Sequence, residues 1–550
     1  MSVDRRPRLS FTARASRLLA NTSAGRRTAA LTAELRTRRV PLHWTNLFGV
    51  VALASVVVLF VTGFLLMFWY TPSGTRVVYD GPYLPLDGVE MSKALRSTLA
   101  ISFEVPGGLL LRQAHHWAGL LLPAALLLQL AVTFFTGAFR RPRRLSWLLL
   151  FGLGLTALLG GWSGYALPDD MLSGTGLRIV EGIVLGIPVV GTWLSALLFG
   201  GEFPGRIIEN LYPIHTAVVP VLLVLLLAAR WRSGYANRPA QFAGPGRTEE
   251  RIVGVPVLPN LAVRAGGLFA IVTAVIVVLA ATVTVSPVWL YGPSSPGDAS
   301  AGSQPDWYTG FLDGALRLIP PGWEVEWLGR TWTLAVVVPL AVVGLFLLAV
   351  AVYPFVEEWI TGDHRDHHLL DRPRNEPTRT GIGVAGLLFY GVLWGAASAD
   401  LAATHFHLAV ESVVAGYQVL AVAGPPLAFW LTRRVCLALQ KRDRDILLHG
   451  YETGRIVRLP GGEYVELHAR VDADEQARLT GPVAAHPVDA RPDQDGRLRL
   501  TERLRAALSR AYFEDRLEPV APETQLAEHD GEGGGGRTDE AIARERAGAA

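Results

Sequence analysis

The feature that most constrains the fold is a run of apolar residues from Trp117 to Phe135, whose most polar member is Gln129. A helix needs about 20 apolar residues to cross the hydrocarbon core of a bilayer, so this run predicts a membrane-spanning helix. His115 and His116 stand where the run begins. An imidazole at membrane depth is costly unless it has a partner, so these histidines are candidates for a ligand site.

Seven further stretches have the same character, and half of all residues are hydrophobic while 18% are charged. We therefore predict an all-α polytopic membrane protein with eight transmembrane helices, a four-helix bundle followed by a further four spans. The expected spans are residues 46–70, 116–136, 146–167, 211–231, 265–286, 332–354, 382–400 and 411–431.

Basic residues concentrate in loops 137–145 and 232–264 and in the first 43 residues, which hold ten arginines and two acidic residues. By the positive-inside rule, these segments and both termini are expected on the cytoplasmic side of the cell membrane. The first 43 residues contain no short apolar core with a cleavage site, which argues against a signal peptide. The overall charge of +3 gives no reason to expect a nucleic-acid partner.

This topology places His115 and His215 near the entry ends of two spans that both start on the outer face. Two imidazoles facing each other across a helix bundle can hold the iron of a b-type haem without a covalent link. For either histidine alone, interfacial capping is the alternative. Cys436 is the single cysteine, so a metal centre would use histidine or carboxylate ligands. The histidines of HRDHH, 364–368, are expected in a solvated loop.

Several motifs in order along the chain resemble the cytochrome b subunit of the cytochrome bc complex, in its actinobacterial menaquinol-oxidising form. They are HHWAGLL, FFTGAFRRPR, GWSGYALPDDMLSGTG, IPVVGTWLSALLFGGEFPG, QFAGPGRTE, PVWLYGP and AGSQPDWY. The resemblance covers roughly residues 40–470. It implies haem in the bundle of spans one to four, a quinol substrate, and a homodimeric complex in membrane lipid. It also implies two partners, a Rieske iron-sulfur subunit and a cytochrome c subunit.

Carried over by this resemblance, His115 and His215 are the ligands of the outer, low-potential haem. Arg112 matches an arginine that pairs with a haem propionate, as an arginine fork suits a carboxylate. Gly63 and Gly164 match glycines whose missing Cβ lets the backbone approach the flat macrocycle. For these two glycines, close helix packing is the alternative.

The family binds a second, inner haem through histidines 14 and 15 residues further along spans two and four. Here these positions are Gln129 and Arg230. An amide is a poor iron ligand and a guanidinium has no lone pair to give, so we expect one haem b per chain. Gly49, fourteen residues before Gly63, still marks the inner level. Arg230 is expected to extend to the membrane interface, and histidines at both positions are expected to restore a second haem.

Gln304–Tyr308, QPDWY, stands in the place of the family's Pro-Glu-Trp-Tyr segment. The resemblance makes Asp306 the carboxylate that takes a proton from quinol, with Tyr308 as a second candidate catalytic residue. An apolar pocket is expected to raise the pKa of Asp306 towards neutrality. Without the family, Pro-Asp before aromatic residues also reads as a turn with Asp306 as a helix cap. Residues 164–170 and 177–198 are expected to form the opposite wall.

The sequence divides into a basic segment, two groups of spans and two C-terminal segments. The expected limits are 1–43, 44–250 for the haem-binding bundle, 251–435 for spans five to eight, 436–470 for a cytoplasmic extension and 471–550 for a disordered tail. We expect a subunit of a quinol–cytochrome c oxidoreductase. One alternative is a paralogue with one haem or none that acts as a scaffold or regulator. A dihaem membrane anchor of a dehydrogenase would have no use for the PDWY segment.

Overall fold

The computed structural model describes residues 22–295, 297, 304, 306–480, 485–492 and 497–517. Helices make up most of it. They are α1 Ser23–Thr37, α2 Leu47–Leu66, α3 Lys93–Phe103, α4 Gly108–Phe135, α5 Arg144–Ala166, α6 Met171–Leu185, α7 Gly191–Phe199, α8 Ile207–Ala236, α9 Ala262–Thr282, α10 Val288–Tyr291, α11 Gly310–Arg317, α12 Leu334–Thr361, α13 Pro377–Ala396, α14 Ala399–Phe406, α15 Val410–His449, α16 Ala473–Leu479 and α17 Leu500–Phe513. A π-helical turn, Ile214–Val218, lies within α8.

Seven helices of the described chain are long and apolar enough to cross a bilayer, namely α2, α4, α5, α8, α9, α12 and α15. Helices α13 and α14 meet the same criterion together but are bent by 66°. With this pair counted as one span, the total agrees with the eight predicted spans. Just before the bend, α11 packs directly against the backbone of α13. A Cβ at Gly314 would lie 1.6 Å from Leu393 O, so only glycine allows this approach.

Helix α4 begins earlier than the sequence predicted. Gly107 precedes it with φ +74°, a left-handed conformation that favours glycine. The helix then runs for 28 residues, which is about 42 Å at 1.5 Å per residue. His115 therefore lies two turns inside α4 and not at its first residue, which carries the imidazole into the bundle.

The first half of the protein is a bundle of α2, α4, α5 and α8. Its core consists of small and branched apolar residues: Ala52, Val56, Leu122, Ala125, Leu126, Leu150, Leu153, Ala157, Val219 and Leu223. Small residues let membrane helices pack closely. Gly160 on α5 is one such contact, since a Cβ there would lie 2.9 Å from Val219 Cγ1.

The second half packs α11, α12, α13 and α15 around Phe311, Val343 and Leu393. Helix α9, which the sequence assigned to this half, instead packs against α2 and α4 through Ile276 and Ala280. The expected division at 250/251 is therefore crossed by direct helix packing.

The strands are short and pair locally. They are β1 Arg39–Val40, β2 Arg76–Val78, β3 Glu90–Ser92, β4 Gln241–Phe242, β5 Val255–Pro256, β6 Glu324–Trp327, β7 Arg330–Thr333, β8 Leu369–Leu370, β9 Tyr451–Arg458 and β10 Tyr464–Ala469. β4 and β8 pair in parallel, and the other pairs, β1–β5, β2–β3, β6–β7 and β9–β10, are antiparallel. Helix α15 continues past residue 435, so the boundary expected at 435/436 lies inside a helix.

The segment expected to be a disordered tail contains the packed helix α17. Tyr512 and Phe513 are buried, and Arg516 donates to Glu376 Oε1 at 2.8 Å. Next to this contact, Arg379 makes ion pairs with Glu357 and Asp371, both at 2.6 Å. A polar composition therefore did not prevent docking, because two buried aromatic residues and one ion pair attach the segment. Residues 1–21 and 518–550 lie outside the described residues.

The HRDHH segment, expected in a solvated loop, is exposed over its first three residues and packed over its last two. His367 and His368 are 6% and 8% exposed. His367 Nε2 lies 3.3 Å from Asp363, and the His368 backbone N–H donates to Glu249. Burial, and then Arg143, lower the pKa of His368. In the described part of the chain, no group of three or more histidine, cysteine or acidic residues is arranged to hold a metal ion.

Candidate functional site

The rings of His115 on α4 and His215 on α8 face each other inside the bundle. Their centroids are 6.0 Å apart and their planes are inclined at 68°. A metal lies about 2 Å from an imidazole nitrogen, and the ring centre is about 1 Å further back, so two ligands on opposite sides of one metal place their centroids about 6 Å apart. The observed separation matches that requirement.

A hydroxyl group fixes the tautomer of His115. Thr62 Oγ1 lies 2.9 Å from His115 Nδ1 and donates its own hydrogen to Val58 O at 2.6 Å. The hydroxyl oxygen is therefore the acceptor, and Nδ1–H is the donor. This leaves the Nε2 lone pair of His115 available to a metal, the arrangement that such an outer hydrogen bond usually enforces.

His215 is oriented in the same way by the backbone of α5. Its Nδ1–H donates to Gly160 O at 3.0 Å, and Ser163 Oγ lies 3.2 Å from the same nitrogen. A carbonyl oxygen can only accept, so the proton is on Nδ1 and Nε2 carries the lone pair. Both rings thus present a ligating nitrogen.

The two glycines carried over from the family lie against the ligand rings. A Cβ at Gly63 would be 2.9 Å from His115 Cε1, and a Cβ at Gly164 would be 2.5 Å from His215 Cε1. Both separations are too short for carbon atoms in contact. The glycines therefore make room for the imidazoles. The sequence had predicted that they make room for the macrocycle.

Arg112, one turn before His115, has an unsatisfied donor. Its Nη2 donates to Ser286 O at 3.1 Å, and its guanidinium lies 5.6 Å from the centre of the Trp289 ring. Its Nε is buried and has no hydrogen-bond partner among the described residues. A buried guanidinium nitrogen of this kind suits a carboxylate, as a haem propionate would supply. The residues at this level therefore fit a b-type haem.

The level of the expected inner haem is different. Gln129 Nε2 donates to Thr133 Oγ1 at 3.4 Å, and Gln129 Oε1 lies 3.8 Å from the Cβ position of Gly49. Arg230, which was expected to reach the membrane interface, extends to the first turn of α5. Its Nη1 donates to Ser146 O at 2.7 Å and to Ser146 Oγ at 2.9 Å.

Leu150 adds an obstacle that the sequence reading missed. It lies fourteen residues before Gly164 on α5, as Gly49 lies fourteen before Gly63 on α2. Its side chain is 2% exposed and packs in the bundle core with Leu126 and Leu223. The inner level is therefore packed with side chains and offers neither imidazoles nor a glycine on α5. The residues present there do not fit a second haem.

A second constellation lies beside the histidine pair. His116 Nε2 is 3.2 Å from Asp306 Oδ1, and the Tyr308 hydroxyl donates to Asp306 Oδ2 at 2.8 Å. Asp306 precedes a short 3-10 turn, Trp307–Thr309, but its side chain makes no capping hydrogen bond. The structure therefore brings together Asp306 and Tyr308, which the sequence predicted, with His116, to which the sequence reading gave no role here.

The geometry of a helix could have indicated that His116 points to a different side of α4 from His115. Neighbouring residues on a helix point about 100° apart, so if His115 faces the bundle, His116 faces its flank. Tyr308 packs closely there, because a Cβ at Gly161 would lie 2.5 Å from the Tyr308 hydroxyl. Burial, and then the adjacent Asp306, raise the pKa of Tyr308 well above its ordinary value. Its hydroxyl therefore stays protonated and donates.

Asp306 and Tyr308 line a cavity of about 540 Å³. The other walls come from α5, α6, α11 and α12, and they are mostly apolar. Tyr165 lines it, as expected from the 164–170 segment. From α6 the lining residues lie between Leu172 and Ile183, so the wall expected from 177–198 is confined to α6 and does not include α7. A cavity of this volume can hold a small aromatic molecule.

Comparisons with known proteins identify the family of this chain. The sequence profile of the family described as "Cytochrome b(N-terminal)/b6/petB" matches residues 120–293. A cytochrome bc1 complex cytochrome b subunit from Streptomyces coelicolor is 45% identical over 488 residues, which cover 88% of this chain and 89% of that protein. The subunit of the same description from Mycobacterium tuberculosis is 45% identical over 430 residues, 78% of each chain.

A solved structure described as "Hyperthermophilic respiratory Complex III" superposes with a TM-score of 0.54 at 17% identity. It covers 76% of this chain and 99% of its own. That likeness supports the fold. The extent and identity of the sequence matches establish the relationship, and the chain belongs to the family of cytochrome b subunits of the cytochrome bc1 complex, a quinol–cytochrome c oxidoreductase of the membrane.

Proposed function

We propose that this cytochrome b subunit holds a single haem b between His115 and His215 and oxidises quinol beside Asp306 on the same side of the membrane. The observation that carries the proposal is the contrast between the two levels of the bundle. At one level two imidazoles lie at metal-binding separation with their tautomers fixed. At the other level Leu150, Gln129 and Arg230 occupy the space with their own contacts.

The bound haem would supply a one-electron acceptor close to the quinol. Arg112 would hold one of its propionates through the unsatisfied Nε. Thr62 and the carbonyl of Gly160 hold the Nδ1 side of each ligand ring, which would leave both Nε2 lone pairs free to bind the iron.

Asp306 would take the proton of the quinol hydroxyl. His116 and Tyr308 each bind one of its carboxylate oxygens, so the group is positioned before substrate arrives. A carboxylate oxygen has a second lone pair, so Asp306 can accept a proton without releasing either neighbour. The mostly apolar walls of the cavity suit the ring of a quinol.

A single haem has a consequence for coupling. The outer and inner levels are 14 residues apart along α4, which is about 21 Å of helix. With no haem at the inner level, an electron delivered to the outer haem has no relay across the bundle. Because one haem holds one electron, that haem would stay reduced after the first quinol, so quinol oxidation would stall and turnover at an inner quinone site would be lost.

We infer that the partners are a Rieske iron-sulfur subunit and a cytochrome c subunit in a homodimeric complex of the cell membrane. Both termini would be cytoplasmic, because Arg140, Arg141, Arg143 and Arg144 lie in the loop between α4 and α5 and at the start of α5 and basic loops stay inside. A reporter that is active in one compartment only, fused after Ala550, tests the orientation.

The haem assignment is tested in the purified complex by the pyridine haemochrome content per chain. One haem b is expected in the unmodified protein, and none after His115→Ala or His215→Ala. His405→Ala is a matched control, because His405 lies in α14, distant in sequence from both ligands and outside the bundle, and should leave the spectrum intact. A full haem spectrum in the double variant His115→Ala/His215→Ala would refute the assignment.

A further inference from the structure

The C-terminal helix α17 has an apolar face that the rest of the described chain leaves exposed. Leu500, Leu504 and Leu508 are 80%, 53% and 39% exposed. Residues four apart lie on the same side of a helix, so these three side chains form one leucine stripe. A different side of the helix, which carries Tyr512 and Phe513, is buried against the protein. The leucine stripe is therefore not used to attach α17 to the fold.

Helix α17 lies across three spans at the level where they leave the bilayer. Near its middle, Arg505 Nε donates to Trp359 O at 2.7 Å, in the last turn of α12. Near its end, Tyr512 O accepts from Thr378 Oγ1 at 2.7 Å, in the first turn of α13. Arg433, just after the apolar part of α15, makes ion pairs with the two acidic residues that follow α17. These three contacts place α17 along one surface of the membrane.

This surface is the one that carries the basic loop between α4 and α5. Arg140 and Arg141 of that loop line a small cavity together with residues of α17. In its last two turns, α12 exposes Phe355, Val356 and Trp359, which face lipid in a membrane span. Because Arg505 binds the backbone of Trp359, the middle of α17 lies at the edge of the helix assembly, beside lipid.

Arginines border the leucine stripe. Arg503 and Arg510 are exposed, and they lie on the same side of α17 because they are seven residues apart. The helix holds three arginines and one acidic residue, and Arg497 and Arg499 precede it. An apolar stripe bordered by cationic side chains is typical of helices that lie in the headgroup region of a bilayer. The charge of α17 is therefore complementary to an anionic lipid surface.

We propose that α17 is an interfacial helix that binds anionic phospholipid headgroups on the side of the basic loop. The leucine stripe enters the boundary between headgroups and acyl chains, and Arg503 and Arg510 pair with lipid phosphates. Free phosphate would satisfy the arginines and leave the leucines in water. The inference is independent of the haem and quinol assignments, since α17 contacts neither site.

Fluorescent labels in the full-length chain test the position of the stripe. Leu504→Cys and Leu508→Cys, each combined with Cys436→Ser so that the label is unique, receive an environment-sensitive fluorophore. The protein is placed in nanodiscs of phosphatidylcholine with or without phosphatidylglycerol, which contain a lipid that is spin-labelled near its headgroup. Gly461→Cys is the matched control. It lies in the turn between β9 and β10, where a Cβ would meet no atom within 4 Å, and α15 extends to His449 before this hairpin begins.

The spin-labelled lipid should quench the fluorophore at Leu504 and at Leu508 but not at Gly461. An arginine near an anionic surface strengthens binding by about fivefold. Arg503→Gln should therefore raise by about that factor the phosphatidylglycerol fraction that gives half-maximal quenching at Leu508. Arg455→Gln on the exposed strand β9 is the control for the charge and should leave this fraction unchanged.

Three results would overturn the inference. Equal quenching with and without phosphatidylglycerol would exclude recognition of anionic headgroups. Fluorophores at both leucine positions that are as accessible to a water-soluble quencher as the one at Gly461 would place the stripe in water. Protection from that quencher without quenching by lipid would show that protein covers the stripe, and would assign α17 to an interface between subunits.

Discussion

The sequence suggested that histidines at positions 129 and 230 would restore a second haem. The structure indicates that Leu150 must also be replaced. Histidine at Gln129 and Arg230 supplies the ligands, but Leu150 still fills the core at that level with 2% exposure. We therefore expect Gln129→His/Arg230→His to retain about one haem per chain. Adding Leu150→Gly should raise the content to about two, because it recreates on α5 the space that Gly63 and Gly164 provide at the outer level.

The magnitude follows from the packing of Leu150. Truncating a buried leucine costs about 2–5 kcal/mol when the cavity stays empty, and Arg230→His also removes two hydrogen bonds to Ser146, each worth about 1 kcal/mol. The triple variant without added haem should thus lose several kcal/mol of stability. Haem binding in the new space should recover most of this loss, so its thermal stability should depend on haem supply during growth.

The assay is pyridine haemochrome content per chain combined with a redox titration. Leu150→Gly alone is the control, and it should keep one haem while losing thermal stability. Two haems in the double variant would show that Leu150 is no obstacle. Two haems with distinct midpoint potentials in the unmodified protein would refute the single-haem reasoning altogether.

Three further predictions concern the outer site and its surroundings. Asp306→Asn should keep the haem spectrum and slow the first reduction of the haem by quinol, measured by rapid mixing, by about 10² to 10⁴; an unaffected rate would exclude the proton-accepting role. Gly164→Ala should displace His215, since the added Cβ lies 2.5 Å from its ring, and reduce haem content, whereas Gly154→Ala on the same helix should not; equal haem contents would contradict the packing argument. Burial raises the pKa of Asp169 to about 6, above its unfolded value of about 3.9, so the folded state binds more protons and stability should fall as pH rises from about 4 to 6, by up to about 3 kcal/mol. Asp169→Asn should flatten that dependence in thermal denaturation, and a slope that persists would assign it to another group.

Local periodicity and fixed helix geometry account for what the sequence could predict about the site. The eight apolar stretches follow from bilayer thickness. The depths of His115 and His215 follow from the direction of their spans, and the empty ligand positions at Gln129 and Arg230 follow from a constant rise per residue. The family motifs added the candidate roles of Asp306 and Tyr308.

Contacts between distant segments account for what the sequence could not predict. His116 meets Asp306 across 190 positions, and no local pattern encodes that pairing. α17 looked disordered because its composition is polar, yet it buries Tyr512 and Phe513, and Arg516 just after it pairs with Glu376. Leu150 looked like any other leucine of a membrane span, and its meaning depends on which face of α5 turns to the bundle.

The sequence by itself determined that this chain spans a membrane, that one pair of histidines lies at equal depth and that a second pair is missing. These properties depend on residue type and on distances along a helix, which the chain fixes before it folds. Only the tertiary structure decided which atoms those histidines present and what occupies the second level. Those properties depend on side-chain directions and on the space between packed helices, which exist only once the spans have come together.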